Sequence, residues 1–293
     1  ILVILFLVSF IGLLFTGYPI AWILGGLSLI FTALSIVLNQ YFGIDTFLLD
    51  RWQDFAIIVD RIFAQMSNWV LVSLPMFIYM GLMLDRSGVA DMMMTNFVRV
   101  FGRLRGGLAL TVVLIGILLA ASTGIVGASV VLLATLSLPI MMRENYSKSL
   151  ASGVVAASGT LGILIPPSIM LVIMADQLSL SVGDLFMGAM FPGLLLGGLY
   201  VVYVLGIAQV RPDLAPPPKQ TAKLTGREIW GAIVATVPTL LLILAVLGTI
   251  FFGIATPTEA SGVGAFGATL LAAANKRLDF NTIKTVGIET TLT

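Results

Sequence analysis

The distribution of charge along the chain constrains its fold more than any other feature. Six stretches carry no Asp, Glu, Lys or Arg: residues 1–44, 62–84, 106–142, 149–175, 185–210 and 229–258. A helix that crosses a bilayer needs about 20 mostly apolar residues. A soluble core of this length has no use for six such stretches. The runs are apolar all round, without the alternation of a membrane barrel strand. The expected fold is therefore an all-α polytopic membrane protein. Composition agrees, with 59% hydrophobic and 10% charged residues, against about 25% charged in a soluble domain.

The same composition excludes several function classes. The chain has no cysteine and no histidine, so disulfides, thiolate or imidazole metal sites and Cys or His catalysis are ruled out. The net charge of +1 gives no footprint for nucleic acid. There is no Walker A sequence and no HExxH, and no intramembrane aspartate pair. An enzyme is not expected, no cofactor is expected, and the chain cannot drive transport by its own ATP hydrolysis. The chain opens at Ile1 inside an apolar run without a basic segment before it, so a signal peptide is not expected. We read it as a fragment of a longer protein.

Spans are expected at 1–15, 20–38, 68–84, 149–175, 184–208, 229–252 and 257–274. Residues 52–66 have helical apolar spacing consistent with a helix lying along the membrane surface. Residues 88–105 read as an amphipathic interfacial helix, with Met92, Met93, Phe97, Val100, Phe101 and Leu104 opposed to Arg99, Arg103 and Arg105. The uncharged stretch 106–142 is too long for one span, and its middle, Ala121-Ser122-Thr123-Gly124-Ile125-Val126-Gly127-Ala128-Ser129, should interrupt a helix. Its arms are short for a core of about 30 Å. We read a re-entrant hairpin; two short full spans with a tight turn are the alternative. In 149–176, Pro166 and Pro167 cannot sit in an unbroken helix interior. That span should be two half-helices around an unwound segment.

Thirteen of the 15 Lys and Arg fall in 85–105, 143–148, 209–228 and 275–293. By the positive-inside rule these segments are cytoplasmic, and so is the mouth of the hairpin. The expected organisation is 1–105 as scaffold spans and interfacial arm, 106–208 as part of a transport domain (hairpin 106–142, broken span 149–176, span 184–208), 209–228 as a cytoplasmic linker with Pro216-Pro217-Pro218, and 229–293 as the start of a second repeat. The repeat rests on Phe15-Thr16-Gly17-Tyr18-Pro19 and Gly253-Ile254-Ala255-Thr256-Pro257, each followed seven residues past its proline by Gly26 or Gly264. Five crossings separate them, so the repeat is inverted, as in many secondary transporters.

Irregular backbone inside a membrane is tolerated only where it is buried or lines a cavity. Free carbonyls with hydroxyls suit a hard cation such as Na⁺, and free N–H groups at a helix N-terminus suit a carboxylate. The tip supplies Ser122, Thr123, Gly124, Gly127 and Ser129. The break supplies Gly159, Thr160, Gly162 and Ser168. For any one glycine or serine, close helix packing is the better reading. Two clusters together, one with tandem prolines, favour a site. Glu259 reads as part of a capping box, Thr256-Pro257-Thr258-Glu259, and Asp184 as the first turn of a helix capped by Ser181. Asp176 reads as a solvated helix end, and Met92-Met93-Met94 as membrane contact.

The segments Thr123-Gly124-Ile125-Val126-Gly127-Ala128-Ser129 and Ser158-Gly159-Thr160-Leu161-Gly162-Ile163-Leu164-Ile165-Pro166-Pro167-Ser168 resemble the large membrane subunit of tripartite ATP-independent periplasmic (TRAP) transporters. Ala255-Thr256-Pro257-Thr258-Glu259-Ala260 and Leu74-Pro75-Met76-Phe77 are similar to the same family, and the resemblance covers essentially the whole chain. It implies an inverted-repeat, elevator-type secondary transporter with two re-entrant hairpins, of which this chain would lack the second. It also implies Na⁺-coupled uptake of an organic acid across a bacterial or archaeal inner membrane, delivery by a periplasmic solute-binding protein, and a small membrane subunit as partner. Carried onto these residues, Na⁺ is expected at Ser122, Thr123, Gly124, Gly159, Thr160 and Gly162. Substrate is expected at Gly127, Ser129, Pro166, Pro167 and Ser168. The choice of Na⁺ over H⁺ rests on this resemblance and on the scarcity of titratable groups in the spans. A related carboxylate transporter that works without a binding protein is the alternative.

Overall fold

The computed structural model describes residues 2–44, 52–123, 126–216 and 226–293, and the side chains at 54–55, 120–123, 128 and 227–228 fall outside that description. Thirteen α-helices and no strand occur among the described residues. Among the described residues four helices are long and apolar enough to cross a membrane, or five if the one bent pair counts as a single span. The chain is an all-α polytopic membrane protein.

It divides into two compact units, Ile1–Asn68 and Trp69–Thr293. In the first, α1 (Leu2–Leu14) packs on α2 (Ile20–Phe42). Ile23, Leu27 and Phe31 form the seam, and the Phe6 ring meets Phe31 edge-on with centroids 5.4 Å apart. Gly43 takes the left-handed conformation that ends α2; its N–H donates to the Asn39 carbonyl at 3.0 Å and the Ile44 N–H to the Leu38 carbonyl at 3.1 Å, which satisfies orphan groups of a helix end. The surface helix expected at 52–66 is a 3-10 turn, Trp52–Phe55, followed by α3 (Ala56–Met66), none of whose residues is buried.

The second unit begins with a 3-10 turn, Trp69–Val72, and α4 (Ser73–Arg86). The expected amphipathic helix is α5 (Val89–Phe101), which buries Val89, Ala90, Met93, Met94 and Phe97. It stops at Phe101, so Leu104 lies in the following turn and is exposed. Helices α6 (Gly107–Thr123) and α7 (Val126–Arg143) form the hairpin. After α8 (Lys148–Leu164) and α9 (Ile169–Gln177) comes α10 (Val182–Val210), capped by Ser181, whose hydroxyl accepts the Asp184 N–H at 3.4 Å. Helices α11 (Gly226–Phe251), α12 (Pro257–Ala274) and α13 (Phe280–Leu292) complete the unit.

Small residues set the closest packing here, as expected where lipid supplies no hydrophobic drive between helices. Helix α12 lies along α4. A Cβ on Gly264 would stand 2.6 Å from the Met80 sulfur. The turn before α12 forms as the sequence predicted. The Thr256 N–H donates to Glu259 Oε2 at 2.8 Å, and the Glu259 N–H donates to the Thr256 hydroxyl at 3.3 Å. The two turns compared as a repeat each contain a glycine with positive φ, Gly17 at 79° and Gly253 at 66°. They differ by one position at the helix start, since Pro19 is the N-cap of α2 while Pro257 is the first residue of α12.

Candidate functional site

Helix α8 packs against both arms of the hairpin. Two adjacent residues make this possible. On the α6 side, a Cβ on Gly116 would stand 2.6 Å from the Ser158 Cβ and 3.1 Å from its carbonyl oxygen. On the α7 side, a Cβ on Gly159 would stand 3.0 Å from both the Cα and the N of Val130 and would collide with its side chain. Real Cβ atoms do not sit that close, so glycine is required at both places. The backbones of three helices therefore meet at one level.

That level fixes where the break lies. From Gly159, α8 continues five residues to Leu164, about 7–8 Å at 1.5 Å per residue. From Val130, α7 runs back four residues to its start at Val126, about 6 Å. Helices α6 and α8 touch about ten residues from their starts. The end of α8 thus stands about level with the start of α7.

The break itself is shorter than the sequence suggested. Helix continues through Gly159, Thr160 and Gly162 to Leu164, and only residues 165–168 leave the α conformation, with a bend of 40° between α8 and α9. The Pro166–Pro167 peptide is cis. The segment is seated on α10, where a Cβ on Gly193 would stand 3.0 Å from Ile165 Cγ1 and 3.2 Å from the Leu164 carbonyl oxygen. Pro166, Pro167 and Ser168 are all buried. Ser168 holds the N-cap position of α9, yet its side chain makes no cap hydrogen bond. Its hydroxyl is shut off from solvent without a hydrogen-bond partner, and so is that of Ser158. An unsatisfied buried hydroxyl costs about 1–3 kcal/mol, so each of the two, Ser158 at the contact with the hairpin and Ser168 at the break, is a position where a further hydrogen bond would be stabilising.

The sequence-predicted residues divide as follows. Gly159, Gly162, Ser129, Pro166, Pro167 and Ser168 are buried around the contact and the break. Thr160 is exposed, and its hydroxyl bonds the Ala157 carbonyl at 2.7 Å within its own helix. Gly127 is exposed with open space around it, in the first turn of α7 rather than in irregular backbone. Gly124 and the side chains of Ser122 and Thr123 lie outside the described residues. Sequence reasoning missed Ser158 as a site residue. The signal was available, because Ser158 immediately precedes Gly159 in the same motif. Ser158 also lines a cavity of about 460 Å³ between α6, α8 and α10, which reaches the turn at Ser147 and Ser149 and is edged by Tyr200 and Tyr203. Among the described residues no group of acidic side chains could hold a metal ion. At the break the helix ends present opposite partial charges: the C-terminal carbonyls of α8 are negative and the N-terminal N–H groups of α9 positive.

Sequence reasoning also missed the junction at the C-terminal end of α4. Arg86 pairs with Glu289 of α13 at 2.6 Å. The Asn275 amide donates to the Ser87 carbonyl at 3.3 Å, and Asp85 Oδ1 is shut off from solvent without a hydrogen-bond partner. These contacts join residues about 200 positions apart, a distance over which no local pattern carries a signal.

The family described as the Tripartite ATP-independent periplasmic transporter, DctM component, matches residues 7–293. The chain is 34% identical over 260 residues to the C4-dicarboxylate TRAP transporter large permease protein DctM of Vibrio cholerae, covering 87% of this chain and 52% of that protein. It is 35% identical over 208 residues to the protein of the same name from Pseudomonas aeruginosa, covering 70% and 47%. It is 29% identical over 270 residues to the 2,3-diketo-L-gulonate TRAP transporter large permease protein YiaN of Escherichia coli, covering 92% and 59%. The chain spans about half the length of these curated relatives.

Proposed function

Because the chain belongs to the DctM component family of tripartite ATP-independent periplasmic transporters, we propose that it is part of the large permease subunit of a Na⁺-coupled importer of organic acids. No bond is made or broken in such a function. The work is to bind an anion and a cation together and to carry both across the inner membrane. The observation that supports this most is the interrupted span about level with the start of α7, held there by the contacts of Gly116 with Ser158 and of Gly159 with Val130.

The chemistry follows from the two faces of the break. The carbonyl end of α8, with the tip residues Ser122, Thr123 and Gly124, offers oxygen ligands to Na⁺, the usual partners of a hard cation. Gly159 brings the backbone of α8 against α7 about five residues before that end, and Gly162 lies between the two. The N–H end of α9, with the Ser168 hydroxyl, offers donors to a carboxylate. Ser129, Pro166 and Pro167 wall the substrate position. Thr160 contributes less than its sequence suggests, since its hydroxyl is engaged within its own helix. With Na⁺ bound, the carboxylate meets a site of added positive charge in low dielectric, where such attraction is strong. That is a physical basis for coupling. Gly127, in the first turn of α7, lets substrate approach that helix end closely.

A carboxylate is common to the C4-dicarboxylate and the diketogulonate named in two of these relatives, and it is the substrate class proposed here. The partners proposed are a small membrane subunit and a periplasmic solute-binding protein. The test is uptake of radiolabelled organic acids into proteoliposomes holding the permease and small subunit, with and without an inward Na⁺ gradient and the binding protein. Uptake that needs both supports the proposal. Uptake without the binding protein indicates a carboxylate transporter of a different organisation, and uptake on a proton gradient alone removes the Na⁺ site.

A further inference from the structure

We propose that the groove between α5, α6 and α11 is a binding site for an anionic phospholipid of the cytoplasmic leaflet. The groove has a volume of about 460 Å³ and is lined by residues that include Phe97 and Phe101 of α5, Leu114 and Leu118 of α6, and Ile233 and Thr236 of α11. No polar atom is exposed in its wall. The hydroxyl of Thr236 is engaged with the Ala232 carbonyl at 2.8 Å. Water or a polar solute would find no hydrogen-bond partner, so the occupant is hydrocarbon. The volume lies within the range of pockets that bury a ligand, about 300–1,000 Å³. One edge of the groove is closed where α11 meets α5, with the Gly231 backbone against the Asn96 side chain.

Depth separates a lipid chain from a protein helix as occupant. The lining of α11 ends at Val237, eleven residues past the helix start at Gly226, or about 16 Å at 1.5 Å per residue. The lining of α6 begins about 10 Å from Gly107. On α11 the lining runs from Ile229 to Val237, about 12 Å at 1.5 Å per residue, so the groove covers less than half of a hydrocarbon core of about 30 Å. One leaflet's acyl chain fits that depth, whereas a transmembrane helix would need a groove running the full core.

Charge identifies the headgroup. The cytoplasmic end of the groove is closed by the last turn of α5 and the turn into α6, which carry Arg99, Arg103 and Arg105 within seven residues. Arg99 and Arg105 are exposed. No acidic residue occurs between Asp91 and Glu144, and Arg227 and Glu228, which precede Ile229, cancel in charge. Basic residues at the cytoplasmic surface attract anionic lipid by on the order of fivefold for each Arg or Lys. The groove lies between the arm helix, the hairpin and α11, so a bound lipid would be in contact with one arm of the proposed transport element. The inference itself does not depend on which substrate is carried.

The test uses the full chain purified in mild detergent, with phosphatidylglycerol and phosphatidylcholine of identical acyl chains as probes and native mass spectrometry as the readout. The wild type should retain phosphatidylglycerol at least tenfold in preference, and R99Q/R103Q/R105Q should reduce that preference to less than twofold. Equal retention of the two lipids by the wild type, or an unchanged preference in the triple variant, would overturn the headgroup assignment. Occupancy is tested separately in native membranes with a benzophenone amino acid in place of Ile233, a substitution that needs no folded variant of the arginines. Cross-linking to lipid supports the proposal. Cross-linking to a protein alone would show that a partner helix fills the groove and would overturn it.

Discussion

Two proline-marked turns in this molecule look alike in sequence and differ in hydrogen bonding. At Thr256-Pro257 the backbone and side-chain groups engage one another in a capping box, and the Thr258 hydroxyl reaches the Trp69 carbonyl at 2.9 Å. At Pro166-Pro167-Ser168 the N-cap serine makes no cap bond, and its hydroxyl is buried without a partner. The first turn is complete in itself and contributes stability. The second is incomplete, in a setting where incompleteness is costly. The difference separates a structural proline from a candidate binding break, although both end one helical run and begin another.

The sharpest way to break this comparison is to push the break away from the hairpin. Gly159→Leu places a side chain into the Val130 backbone and should cost about 3 kcal/mol. The measurement is thermal melting of the purified chain. Gly262→Ala in α12 meets open space and should raise stability by up to about 1 kcal/mol. If the two variants melt alike, the contact of α8 with α7 is not what holds the break in place.

A medium effect tests the turns directly. Thr256→Ala removes a cap and should cost about 1 kcal/mol, with the Na⁺ dependence of uptake per folded molecule unchanged. Ser168→Ala removes an unsatisfied hydroxyl, so its melting should be unchanged or raised, while the added stability on Na⁺ and substrate binding should fall. A Ser168→Ala protein that melts as low as Thr256→Ala would mean the hydroxyl has a partner in the fold, and the contrast between the turns would be lost.

The smallest effect concerns a third cap, outside the membrane. Asp279 caps α13, accepting the Thr282 N–H at 2.6 Å. The hydrogen bonds from the Thr282 side chain and backbone hold its carboxyl below the ordinary Asp value of 3.8. Its folded pKa is depressed, so its contribution is present above the unfolded value and is lost as pH falls through the folded one. Hydrogen exchange at the start of α13 should therefore be steady from neutral pH to about pH 4 after correction for intrinsic exchange, and protection should drop only below that. Asp279→Ala should lower protection at neutral pH and remove the drop.

How much of this was legible before the structure can be argued from the same elements. The capping box at Thr256 and Glu259 was fully legible, because four consecutive residues contain all the donors and acceptors. The interruption at Pro166 and Pro167 was legible for the same local reason, but its length was not. Gly159, Thr160 and Gly162 read as unwound backbone, whereas helix continues through them and Gly159 serves the contact with α7. Gly127 and Ser129 likewise fall within α7.

The sequence by itself determined the membrane class, the helical content and the broken span. Each of these depends on runs of composition or on a few neighbouring residues, and bilayer thickness and backbone hydrogen bonding act on such runs directly. Only the tertiary structure decided that Ser158 and Gly159 face different arms of one hairpin, that the hydroxyls of Ser158 and Ser168 are left without partners, and that α4 is tied to α13 through Arg86 and Glu289. Those facts depend on which helices meet and at what height, and packing between segments distant in the chain fixes that through shape and volume, which no local pattern encodes.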